Sequence, residues 1–159
     1  MPTRRFANHR GVVPMLWAFF ALAVAEMLAV HLFVVLKWPG LAWPLTGLTA
    51  LSLVWLIGWI RSWARLPHVL VDGQLHLHMG SLRHVTVPVA QVARVVRQVD
   101  AARLAQPGTR KLVPLAFPNR IIELTEPLPG RRAIRALAIR LDDPADFDSA
   151  LAGLGITID

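Results

Sequence analysis

After a short polar, arginine-bearing start, the chain turns almost wholly apolar. Val12 to Leu36 forms a run of 25 residues in which Glu26 and His31 are the only ionisable side chains, and Leu45 to Ile60 carries no charge at all. A helix rises about 1.5 Å per residue, so the first run crosses a hydrocarbon core of roughly 30 Å with some tilt. The second is shorter. Trp38 and Trp43 at one end, and Trp55, Trp59 and Trp63 at the other, extend it as an aromatic belt would. Between the runs stands KWPGLAWP, where Pro39, Gly40 and Pro44 predict a tight turn. The pattern predicts a helical hairpin with spans at 12–36 and 45–63 around a turn at 37–44.

From Pro67 the period changes to that of strands. HVLV is a short β-rich run, Asp72-Gly73 is a hairpin signal, and QLHLHM alternates strictly, with Leu75, Leu77 and Met79 on one face. Gly80-Ser81 turns the chain into RHVTV, which alternates again. QVARVVRQV, KLVPLAF, RIIELTE and AIRALAIRL read as further strands, separated by the polar loop AARLAQPGTRK, by Pro118-Asn119 and by the turn PLPGRR. DDPADFDSALAGLG reads as a helix: Asp143 caps it, Pro144 takes its first position, Phe147, Leu151 and Leu154 form one stripe, and Gly155 stops it. That is about seven short strands and a closing helix.

Composition narrows the reading. Hydrophobic residues make up 55% of 159 and the mean hydropathy is +0.49, too apolar for an ordinary soluble domain. There is no cysteine, which removes disulfides, thiolate nucleophiles and zinc ribbons. The formal charge of +7 is consistent with a membrane surface. Aromatic residues do not interleave with the basic ones as base stacking requires, so nucleic acid is not expected. Arg4, Arg5 and Arg10 flank the first span, Arg61 and Arg65 flank the second, and the turn holds only Lys37. That asymmetry predicts both termini, including a basic N-terminus at 1–11, on the cytoplasmic side. A cleaved signal peptide would not need the apolar residues from Met27 to Leu36, so both spans are expected to stay.

The stretches LVDGQLHLHMGSLRHVTVPVAQVARV and IRLDDPADFDSAL, a strand pair leading into a valine-rich segment and a strand followed by a closing helix, resemble the bacterial pleckstrin-homology-like domain of small membrane proteins with two N-terminal transmembrane helices. The resemblance covers 67–155 for the domain and the whole chain for the layout. It implies an orthogonal β-sandwich or barrel plugged at one end by the terminal helix, with Phe147 and Leu151 as plug residues, in a bacterial inner membrane. Related domains outside bacteria often bind phosphoinositides through a basic first hairpin. Here residues 68–79 carry His68, His76 and His78 with no lysine or arginine, so no phosphoinositide is expected.

Several residues carry possible chemistry. With the hairpin folded about Gly40, Glu26 falls level with Trp55 and near Ser52, and His31 falls beside Thr49. Interhelical glue, an oligomer contact and a proton relay are the three roles open to this pair. Arg61, Arg65, Arg103, Arg110, Lys111, Arg131 and Arg132 are candidates for contact with anionic lipid or an acidic partner; solvated loops are the plainer reading. Pairing across Gly80-Ser81 sets His78 opposite His84 with His76 on the same side. That arrangement suits zinc or a pH sensor, but exposed strand histidines explain it as well, and no metal or other cofactor is expected. The acids Asp142, Asp143, Asp146 and Asp148 suit a helix start. No phosphate loop, nucleophile elbow or HExxH motif is present. The expectation is a membrane-anchored, non-enzymatic interaction module or scaffold, self-associating or bound to a membrane protein. An auxiliary subunit of a transporter or envelope enzyme, using Glu26 and His31, is the alternative.

Overall fold

In the computed structural model, residues 3–129 and 133–159 are described; Arg131 and Arg132 lie outside them. Two long helices, α1 (Val13–Lys37) and α2 (Pro39–Arg65), form an antiparallel hairpin. At about 1.5 Å per residue each is close to 40 Å long. An 18-residue stretch of each has a mean hydropathy of 2.4 and 1.6 respectively, so both are long and apolar enough to cross a membrane. Large side chains such as Phe19, Leu22, Phe33, Leu48 and Leu51 point outward along most of the hairpin.

The turn is far tighter than the sequence suggests. Trp38 alone separates the helices, with φ −143° and ψ 73°. Pro39 begins α2 at its first position, where a missing N–H is no loss. Pro44 lies inside the helix, near enough to its start to remove a single internal hydrogen bond.

The β domain has two sheets. The first is antiparallel, in the order β1 (Arg4–Phe6), β2 (His68–Val71), β3 (Gln74–Met79), β4 (Arg83–Pro88). The second contains β5 (Val92–Val96), β6 (Thr109–Lys111), β7 (Arg120–Leu128), β8 (Ile134–Ile139) and β9 (Thr157–Ile158), in the order β6-β8-β7-β5-β9. The helix α4 (Pro144–Ala152) follows β8. Asp143 caps it by accepting from the backbone N–H groups of Ala145 and Asp146, as its sequence predicts.

One element overturns an expectation. The N-terminal segment, read as a basic tail, supplies β1, which pairs with β2 in the register Arg5↔Val69. The β domain therefore does not begin at residue 67: the hairpin is an insertion between its first two strands. Phe6 reaches the main core and meets Phe147 of α4 edge to face, with ring centroids 5.0 Å apart. That core also takes Leu75, Leu77, Val87, Ile122, Leu137 and Leu151, so both sheets and α4 share it.

Two further departures have local causes. The strand observed here, β6, starts two residues earlier than the predicted KLVPLAF and keeps only Lys111 of it, with the Leu112 N–H still donating to the Ala138 carbonyl at 2.9 Å; beyond that Pro114 has no N–H to donate, and Val113 is drawn to the hairpin. The loop AARLAQPGTRK contains a one-turn helix, α3 (Ala101–Leu104), capped by Asp100. Leu104 covers Val96, Ile121, Ala136 and Ala138 on the second sheet's outer side.

If β1 is integral to the domain, Phe6→Ala lowers stability as a core truncation does, by about 3–5 kcal/mol. Chemical unfolding of the full chain in detergent, followed by far-ultraviolet dichroism, measures it. An unchanged midpoint would show the N-terminal segment to be dispensable.

Candidate functional site

Where the helices meet the β domain, an apolar seam joins them. Val12, Leu16, Ile60, Trp63 and Val113 are buried together, with Phe20, Leu56, Met79 and Ala116 packed around them. Trp63 is only 1% exposed. It is a core residue here, not the interfacial belt residue its spacing suggests. Its indole and that of Trp59 pack against Gly80, whose φ is +52°; a Cβ there would fall 2.9 Å from the Trp63 Nε1 and 2.7 Å from the Ser62 hydroxyl oxygen. The Ser62 hydroxyl also accepts from the Ser81 N–H at 2.9 Å.

Beside the seam lies a polar lock. The Asp142 carboxylate accepts from the backbone N–H groups of His9 and Arg10 at 3.0–3.1 Å, tying the start of α1 to the end of β8. The Asn8 amide donates to the His78 carbonyl at 3.2 Å. His68 is buried; its Nδ1 accepts from the His78 N–H at 3.1 Å, and its Nε2 lies 3.3 Å from the Asn8 amide nitrogen. Burial, reinforced by neighbouring His78, pushes the His68 pKa down to about 3; Asp142 and the Arg140 carbonyl oppose this only in part.

A second cluster fastens α4. Asp148 is 4% exposed. It accepts from Arg120 at 2.8 and 2.7 Å through a two-pronged contact and from the Arg97 Nε at 2.9 Å. Burial alone would raise the Asp148 pKa, but the Arg120 and Arg97 contacts outweigh it and hold the carboxyl below its usual range.

Within the helical hairpin, His31 pairs with Thr46 and sits edge to face on Trp43. A hairpin folded about Gly40 predicts His31 beside Thr49 and Glu26 level with Trp55. Centring the turn on Trp38 rather than Gly40 slides α2 by about one turn relative to α1, which accounts for both differences. Thr49 and Ser52 donate to the Leu45 and Leu48 carbonyls of their own helix, each at 3.0 Å, and Trp55 stacks on Trp59. Glu26 lines a groove of about 270 Å³ with His31, Thr46 and Thr49. It has no hydrogen-bond partner among the described residues.

The other predicted residues are scattered. Arg61 and Arg65 end α2, exposed. Arg103 pairs with Glu123 at 3.5 Å, and Arg110 and Lys111 are exposed on β6. His78 does face His84, with ring centroids 6.3 Å apart, but His76 contacts Thr86 at 3.0 Å and the His78 Nδ1 is engaged by the Pro67 carbonyl. Among the described residues no group of three or more metal-type side chains is placed to hold an ion. Sequence reasoning missed Asn8, Asp142 and Asp148 as structural polar residues; the two acids read only as helix-start charges, and Asn8 carried no signal.

No family model matches the chain, and no curated protein and no solved structure is significantly similar to it.

The two buried clusters set the response to acid. Unfolded, His68 takes up a proton below about pH 6.5; folded, it does so only near 3. The unfolded chain thus binds more protons across that window, and stability falls as pH drops through it. Asp148 adds to this at the acid end: its contribution is present above the ordinary 3.8 and is lost as pH falls through its lower folded value. Thermal melts from pH 7 to pH 3 should show a falling midpoint, and His68→Gln should flatten the upper part of the slope. A flat wild-type profile would contradict the placement of His68.

Proposed function

We propose that this chain is a membrane-anchored interaction module, acting by binding rather than by catalysis. In this reading a pleckstrin-homology-like β domain is held against the cytoplasmic face of a bacterial inner membrane. One observation carries it: the hairpin is inserted between β1 and β2 and fused to the domain through Val12, Leu16, Ile60, Trp63 and Val113. A domain joined on both sides of its anchor cannot swing away on a tether. It serves as a fixed platform at the bilayer surface. The pleckstrin-like comparison draws support from two sheets closed by a C-terminal helix whose Phe147 and Leu151 enter the core. Ionisable groups of the β domain are engaged in holding the fold: Asp148 by two arginines, Asp142 by backbone N–H groups, His68 in the interior. Arginines at 4, 5, 10, 61 and 65 support a cytoplasmic placement of both ends.

A second reading, a subunit within a larger membrane assembly, is favoured by Glu26. Counted along α1 it lies mid-span, where a carboxyl group without a partner is expensive. The hairpin satisfies His31 through Thr46 and leaves Glu26 facing outward. A neighbouring helix, from a second copy or another protein, would supply the missing hydrogen bond.

Crosslinking in native membranes separates these readings. The platform reading predicts self-crosslinks, or a partner captured through the β domain, that persist in Glu26→Leu. The subunit reading predicts a recurring membrane partner lost at least fivefold in Glu26→Leu and retained in Glu26→Gln, which keeps the hydrogen bond. Cytoplasmic placement is checked by reporter fusions at the C-terminus; activity of a periplasmic reporter there would reject it.

A further inference from the structure

The β domain's surface is polar, with a pointed exception. Among the described residues outside the helical hairpin, the large hydrophobic side chains that stand exposed are Leu82, Leu115 and Phe117, at 47%, 47% and 54%. They are distant in sequence but share one end of the domain. β2 leaves α2 at this end, turns at Asp72-Gly73 on the far side, and β3 returns through Met79 to the turn holding Leu82. Leu115 and Phe117 belong to the loop that departs from β6, and that loop's Val113 and Ala116 pack on the hairpin. The same loop is tied to the end of β8 by Arg140, which donates to the Phe117 carbonyl at 2.9 Å.

Their height along the hairpin is set by contacts. The loop of residues 112–118 rests on Val12, Leu16, Ile60 and Trp63, and Val12, Leu16 and Ile60 lie within the apolar runs of the spans. Gly80, beside Leu82, is pressed on Trp59 and Trp63. Side chains anchored to those residues start at the level where hydrocarbon gives way to headgroups. The chemistry of the loops agrees. Pro114 and Pro118 bracket Leu115 and Phe117 and have no N–H to desolvate. Arg83 follows Leu82 directly, and Arg140, its Nε buried, brings its outer guanidinium end to Phe117, so cations stand beside the apolar tips, where cations meet phosphate. Exposed apolar residues gathered at one place mark a contact surface.

We propose that the turn at 80–83 and the loop at 112–118 dip into the headgroup–acyl boundary of the surrounding bilayer. Leu82, Leu115 and Phe117 are the immersed side chains, and anionic glycerophospholipid headgroups lie against Arg83 and Arg140. The depth is that of an interfacial element, about 5–10 Å. This rests on the membrane reading above and deepens it: the domain faces lipid through a defined keel, leaving the far end, around Asp72-Gly73, for partners.

The absence of cysteine makes the test direct. Single nitroxide labels go on Leu82→Cys, Leu115→Cys and Phe117→Cys in the full chain, reconstituted in phosphatidylethanolamine–phosphatidylglycerol bilayers. Leu48→Cys serves as a reference within a span and Asp72→Cys as one at the far end. Relaxation by oxygen is expected to exceed relaxation by a water-soluble nickel complex at 82, 115, 117 and 48, with the order reversed at 72. Should 82, 115 and 117 follow 72 while 48 remains lipidic, the keel is wrong and the membrane anchor stands. Labels at 82, 115 and 117 shielded from both reagents would mean protein covers the patch, which also overturns the proposal. Nickel access at 48 would bring down the anchor and the keel together.

Discussion

The rest of the molecule depends on the burial of Trp63 between the end of α2, the start of α1 and the loop after β6. A helical hairpin in lipid satisfies its own backbone and asks nothing of a soluble domain. A small β domain with its first strand on the far side of that hairpin is different, because β1 can reach β2 only if both helix ends arrive side by side at the same sheet. The seam of Val12, Leu16, Ile60, Trp63 and Val113 holds them there. Asp142 adds the polar half of the joint by capturing the His9 and Arg10 amides. Ser62 and the side-chain-free Gly80 let the β3–β4 turn close onto the tryptophans.

This construction favours a structural reading of the buried ionisable groups. His68 is kept neutral by desolvation, and Asp148 is kept charged by two arginines. Each fixes one piece of backbone: His68 the entry to β2 against His78, Asp148 the helix α4 against the second sheet. Glu26 is the exception, an acid on the outside of the hairpin with its hydrogen-bonding capacity unused there. The two ends of the molecule thus pose different questions. One concerns what the β domain presents; the other concerns what lies beside the two helices.

Much of the architecture was legible in the sequence. The two long apolar helices follow from 25 nearly uncharged residues and a second apolar run. The strands at 68–71, 74–79 and 83–88 follow from strict alternation and the Asp72-Gly73 turn, and even the pairing of Leu77 with Val85 could be read from it. The cap and first residue of α4 were spelled out by Asp143-Pro144. What was hidden depended on partners far away in sequence. Arg4–Phe6 is too short and too basic to read as a strand, and only β2 and Phe147 make it one. Trp63 carries the same local signal whether it sits at a membrane interface or in a core. The depth of Glu26 and His31 was misjudged because Pro39 and Pro44 read as turn residues, whereas a proline in the first turns of a helix is tolerated. At the candidate site, Glu26 and His31 were visible as anomalies in an apolar run. Asp142 and Asp148 were not, since a helix-start acid looks the same whether it faces solvent or holds two arginines.

Amide hydrogen exchange of the full chain in lipid nanodiscs, read peptide by peptide, tests the central claim most directly. If the hairpin is an insertion in one β domain, the peptide carrying β1 holds amides that exchange as slowly as those of β2, to which it is paired. Rapid exchange throughout residues 4–6, with β2 and β3 still protected, would show a domain merely tethered after the second helix and would contradict the account.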